Sequence, residues 1–159
     1  IKELTSHELF NVMLTSTERK ALKQQEIIIR SWIALFEDEP NLTPAHVNEV
    51  MKVLSIDADE REQLKTSYDF MFETYKIMSI EKENSDVIKL MFKPTHFIGY
   101  LPYLEKFDTP EQFAKWVEKF FGNMPEAYAS LVREHTTSPS SIKARRELIE
   151  KSVTEFLGK

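Results

Sequence analysis

Only three glycines occur in 159 residues, and Glu, Lys, Leu and Phe dominate the chain. These are residues a helix accepts, and clean two-residue alternation of apolar and polar positions between turn signals is missing. The pattern predicts an all-α fold, an irregular bundle of about seven or eight helices in one domain over residues 1–159. A chain of this length buries roughly two thirds of the surface it exposes when unfolded. The hydrophobic fraction of 42% is enough to fill such a core. No internal repeat, low-complexity stretch or long linker interrupts it, so the boundaries read as helix boundaries.

The punctuation along the chain predicts where those helices begin and end. A first stretch, about Ser6 to Leu14, runs into Thr15-Ser16-Thr17, whose hydroxyls can cap a second helix over about Glu18 to Phe36. Leu22, Ile29, Ile33 and Phe36 form the apolar stripe of that helix. Pro40 ends the pattern, and Thr43-Pro44 restarts it, Thr as N-cap with Pro in the first helical position, for a helix to about Leu54. Asp57 followed by Glu60 reads as a capping box for a helix reaching about Met78. Between Asp86 and Phe107 nearly every side is apolar, and Pro94 and Pro102 predict two shorter helices or a kinked one. Thr109-Pro110-Glu111-Gln112 is the strongest start signal, and Gly122 suits the left-handed residue after that helix. A short helix over about Pro125 to Glu134 and a last one over Pro139 to Leu157 complete the reading.

The net charge of −5 is unevenly spread. Residues 1–36 carry +1, residues 37–86 carry −8 and residues 87–159 carry +2. An acidic middle repels phosphate, so nucleic-acid contact is to be sought outside it. Residues Thr43 to Tyr68 have the outline of a helix-turn-helix, but Glu49, Asp57, Asp59, Glu60 and Glu62 argue against a recognition helix there. No apolar run is long enough to cross a bilayer, and Ile1-Lys2-Glu3-Leu4 lacks the pattern of a signal peptide, so a soluble, cytoplasmic protein is expected. The absence of Cys removes disulfides, thiolate metal sites and a Cys nucleophile, and suits a reducing compartment. A first residue that is Ile rather than Met suggests a segment of something longer.

Catalytic motifs are scarce. The sequence has no phosphate-binding loop, dinucleotide turn, nucleophile elbow or His-Glu-x-x-His, and it implies no cofactor, no metal site and no catalytic residue. His7, His46, His96 and His135 are isolated, and His96, in the most apolar stretch, is either a satisfied core residue or part of a site at the helix break. In the second helix Glu26 falls on the apolar stripe with Arg30 one turn later. Acid before base at this spacing is the favourable order, which predicts a partly buried structural ion pair. Near the C-terminus Lys143, Arg145, Arg146 and Lys151 cluster, preceded by Arg133 and His135 across Thr136-Thr137-Ser138. They are the candidate nucleic-acid or interdomain contact. Glu147 and Glu150 interleave with them, and Arg145 and Arg146 lie near the buried side, which favours packing or interdomain contact over DNA.

Three stretches carry a family resemblance. Glu18-Arg19 followed by Glu26-Ile27-Ile28-Ile29-Arg30-Ser31-Trp32-Ile33-Ala34-Leu35 is similar to a Glu-x-x-x-Arg helix with apolar residues and a Leu after it. Phe92-Lys93-Pro94-Thr95-His96-Phe97 is the second, and Thr136-Thr137-Ser138 with Ile142 and Arg145 is the third. Together they resemble the helical half of a bacterial family whose front domain is ParB-like with a DGQQR-type motif, and which includes GmrSD-type modification-dependent restriction enzymes. The resemblance implies a nucleotide-stimulated nuclease acting in phage defence, with the chemistry in the front domain. Neither that domain's Asp-Gly-Gln-Gln-Arg run nor a His-Asn-His-type nuclease tail is present here, so no family active-site residue carries over. The segment is then expected to be non-catalytic, with the parent's ParB-like domain as its partner and DNA as a candidate second partner through the C-terminal basic face. The alternative is an autonomous helical module that binds DNA or protein.

Overall fold

The computed structural model describes residues 3–21, 23–133 and 136–158. Among them are ten α-helices, three 3-10 segments and no strand, so the chain is all-α with irregular packing. The helices are α1 (Leu9–Met13), α2 (Ser16–Lys20), α3 (Lys23–Phe36), α4 (Pro44–Val53), α5 (Ala58–Met78), α6 (Ser85–Met91), α7 (Pro94–Tyr100), α8 (Pro110–Gly122), α9 (Glu126–Leu131) and α10 (Pro139–Leu157). The 3-10 segments are Leu4–Ser6, Lys82–Asn84 and Leu101–Lys106. No described helix is long and apolar enough to cross a membrane.

Most of the local punctuation works as its chemistry dictates. Thr15 and Glu18 form a reciprocal capping box, as do Asp57 and Glu60, whose side chains and backbone N–H groups meet at 2.8 and 3.2 Å. Thr109 accepts from the Gln112 N–H at 3.1 Å, but the Gln112 side chain reaches one residue further back, to the Asp108 N–H. Ser138 caps α10 through the Ser141 N–H. Thr43 departs from expectation. Its hydroxyl donates to Asn41 Oδ1 at 2.8 Å, and α4 starts on Pro44 without a side-chain cap.

Two expected helices are shorter than their periodicity. The first becomes a 3-10 turn and α1, because the His7 ring folds back to accept the Leu9 N–H at Nδ1. The second divides into α2 and α3 around Ala21, where the backbone leaves helical geometry; Leu22 lies outside the described residues. No Pro or Gly marks that break. The expected left-handed residue at Gly122 is also corrected. Gly122 ends α8 in ordinary helical territory, and the positive-φ glycine is Gly158, at 73°, closing α10.

The core sits where α5 runs along α8 and where α7 meets α3 and α10. Aromatic side chains fill it because they bury large areas from few residues. Tyr68 stacks on Phe97, Phe97 meets Tyr100 edge-on, and Tyr100 packs on Phe113, Trp116 and Phe121. Two of their polar ends are served from within, Tyr100 donating to the Met91 carbonyl at 2.6 Å and Trp116 to Ser152 Oγ at 3.1 Å, whereas the buried Tyr68 hydroxyl has no hydrogen-bond partner among the described residues. Gly99 lets α7 approach α10, since a Cβ there would stand 2.9 Å from Ile149 Cδ1.

Candidate functional site

The three stretches that carry the resemblance meet in space. The C-terminal turn of α3 leaves carbonyls that no later N–H can reach. Arg146 of α10 donates its Nη2 to one of them, the Ala34 oxygen, and sets a positive charge at the negative end of the α3 dipole. The loop that follows α3 is tied to the loop before α10, the Leu42 N–H donating to the Thr137 carbonyl at 2.9 Å. One residue before Arg146, Arg145 is 1% exposed and points the other way, donating from Nη1 to the Thr136 carbonyl at 2.7 Å and to Ser141 Oγ at 3.3 Å. Its Nε finds no hydrogen-bond partner among the described residues.

Beside Arg145 lies a buried aromatic pair. His96, 4% exposed on α7, has Nδ1 at 2.8 Å from the hydroxyl of Tyr128 on α9, and the two rings stack at 5.5 Å between centroids. Phe121 closes the other side of the imidazole at 5.0 Å. Burial, with the charges of Lys93 and Arg145 behind it, pushes the His96 ring down to about 4, so it is neutral near pH 7. Burial likewise holds the Tyr128 phenol above its ordinary range, against the pull of Arg145. A neutral imidazole bonded to a protonated phenol, with a guanidinium held by carbonyl and hydroxyl oxygens beside them, forms a buried polar cluster in the core. Of the two readings of His96, the structure places it as a buried residue hydrogen-bonded to Tyr128.

The five C-terminal cations do not share a face. Of the candidate nucleic-acid or interdomain set, Arg145 is buried and Arg146 is half-buried with Nη2 on the end of α3, so these two pack inward. Arg133 is exposed but sits 3.1 Å from Glu126. Lys143 and Lys151 are exposed, with Glu147 and Glu150 between them on the same side of α10, so the outward surface there has mixed sign. His135 lies outside the described residues.

Glu26 and Arg30 pair as their spacing predicts. Arg30 Nη2 lies 3.1 Å from Glu26 Oε1, with side chains 22% and 34% exposed, and Lys23 reaches the other carboxylate oxygen at 3.2 Å. Burial opposes ionisation of Glu26, yet hydrogen bonds from Lys23 and Arg30 win and hold its carboxyl below the usual range. Of the other histidines, His7 Nε2 meets Asp69 and His46 Nε2 meets Glu37, each at 2.6 Å. No group of three or more His, Cys, Asp or Glu residues poised for a metal ion occurs among the described residues.

Tyr128 is the participant that sequence reasoning missed. It stands in a short helix of small and charged residues, 32 positions from His96, and no spacing rule links them. No protein-family model matches the sequence, and no curated protein or solved structure is significantly similar to it.

Proposed function

We propose that this chain is the helical, non-catalytic part of a bacterial ParB-like nuclease of the restriction type. In this reading it works in the cytoplasm in phage defence and holds a separate catalytic domain in position. The observation that supports it is that the family-like stretches, far apart in sequence, come close together around α10, where Arg146 bonds the Ala34 carbonyl at the end of α3, Arg145 bonds the Thr136 carbonyl, and the His96–Tyr128 pair lies near the Arg145 charge. Arg145, Arg146, His96 and Tyr128 each make at least one internal bond, which suits a rigid support better than a reacting centre. The outward cations Lys143 and Lys151 remain as the DNA- or domain-facing pair.

The test compares the 159 residues with the same chain extended by whatever is encoded upstream in frame. The chain alone, with magnesium and nucleoside triphosphates, should neither cut DNA nor hydrolyse nucleotide, and the extended protein should carry a DGQQR-type domain and gain activity. Cleavage that co-elutes with the short chain and disappears in His96→Ala or Tyr128→Phe would overturn the proposal, as would an upstream region with no such domain.

A further inference from the structure

Of the four helices around the buried polar cluster, α9 is the one with little to hold it. It has six residues, too few to stay helical without tertiary support, and Tyr128 is its one buried side chain. Met124 and Val132, at its two ends, are half-buried. The Arg133–Glu126 ion pair and the Ser130–Glu126 bond lie within the segment and travel with it. By contrast α7, α8 and α10 each bury three or more apolar side chains. The chain beyond α9 is anchored again where the Thr136 carbonyl accepts from Arg145 and the Thr137 carbonyl from the Leu42 N–H.

The ring that Tyr128 bonds, His96, is the one member of the cluster that gains a proton in mild acid. Facing it are Lys93 from the start of α7, Arg145 from α10 and the Tyr128 phenol from α9, while α8 contributes the uncharged Phe121. No carboxylate bonds or pairs with any of these among the described residues. An imidazolium here adds a positive charge beside two others in a site of low dielectric. Water is then the only neutralising medium at hand, and the wall that buries a single side chain is the easiest to move.

We infer that α9 is an acid-opened strap: protonation of His96 frees Tyr128, and residues 124–133 lift away from α7 and α10 while the rest of the core stays folded. Lifting the strap lets water reach both the imidazolium and the Arg145 guanidinium, which is 1% exposed when the strap is shut. At neutral pH the ring is uncharged and the strap stays down. The inference goes beyond the nuclease-family reading and rests on the cluster's own geometry, so its failure would leave that reading standing.

The test is amide hydrogen exchange of the whole chain, resolved by residue with NMR at about pH 7 and about pH 5 and corrected for the intrinsic effect of pH. Ala129, whose N–H donates to the Pro125 carbonyl at 2.9 Å, reports the strap, and the buried Met71 of α5 and Val117 of α8 report the core. The ring titrates near 6.5 once open to water and about 4 when shut in, so the opening constant at Ala129 should rise about twentyfold between the two pH values. At both, Ala129 should exchange faster than Met71 and Val117 and respond little to low urea, as a local opening does. In His96→Asn the rise should shrink to less than about twofold. If that variant does not fold, Tyr128→Phe serves: it loses the bond but keeps the ring, so the strap should open more at pH 7 with the pH-dependent rise retained. Glu134 and His135 lie outside the described residues, and Glu134→Gln/His135→Asn should leave the rise in place. Ala129 exchanging only in step with Met71 and Val117 would mean that nothing short of global unfolding frees α9, and would overturn the inference. So would an unprotected Ala129 at pH 7, an equal rise in His96→Asn, or a rise lost in Glu134→Gln/His135→Asn.

Discussion

Acidifying a solution of this protein from about pH 7.5 to about pH 5 should cost about 2 kcal/mol of stability through His96 alone. In the unfolded chain the imidazole titrates near 6.5, whereas in the folded core burial brings it to about 4. A depressed folded value means that the unfolded state takes the proton first. Nothing is lost above about pH 6.5; below it stability falls by about 1.4 kcal/mol per pH unit until the folded ring also titrates near pH 4. Weighting the two protonation equilibria at about pH 5 gives the 2 kcal/mol. The comparison protein is His96→Asn, whose side-chain amide can keep the bond that Nδ1 makes to Tyr128 but takes up no proton. Urea unfolding of both proteins at the two pH values isolates the imidazole, because the other titrating groups are common to both and cancel in the difference. The gap between wild type and variant should change by about 2 kcal/mol between the two pH values. A gap constant to within about 0.5 kcal/mol would show that the folded ring is protonated as easily as the unfolded one, and would refute the buried neutral imidazole.

Three other perturbations test separate links. Arg30→Ala should cost about 1 to 2 kcal/mol, less than for a fully buried pair because Lys23 still serves Glu26, and a Glu26/Arg30 double-mutant cycle should show coupling of about 0.5 to 1 kcal/mol, with a value under about 0.3 sinking the pairing. Gly99→Ala should stay within about 1 kcal/mol of wild type, since the gain in helix propensity offsets a shift of the flexible Ile149 tip, while Gly99→Val should cost more than about 2, measured by thermal unfolding. Affinity for duplex DNA should be slight, with a log–log salt slope no steeper than about −2, because only Lys143 and Lys151 of the C-terminal cations are exposed and unpaired among the described residues. Steeper dependence, or binding undiminished in Lys143→Glu/Lys151→Glu, would place the contact elsewhere.

What the sequence determined by itself is what chemistry within one or two helical turns controls. The all-α class, the hydroxyl cap at Thr15, the box at Asp57, the break into α6 and α7, the start of α10 at Pro139 and the Glu26–Arg30 pair were legible because each depends on residues a few positions apart. The division of α2 from α3 was not, since no Pro or Gly marks Ala21, where the backbone leaves helical geometry. Only the tertiary structure decided what the polar residues do. Periodicity set Arg145 and Arg146 near the buried side, but that one would cap α3 through Ala34 and the other would lie beside His96 and Tyr128 depends on where α3, α7 and α9 come to rest. Such encounters join residues tens of positions apart, and the free energy that selects them is burial of the whole aromatic core, a sum over the fold that no local window of sequence contains.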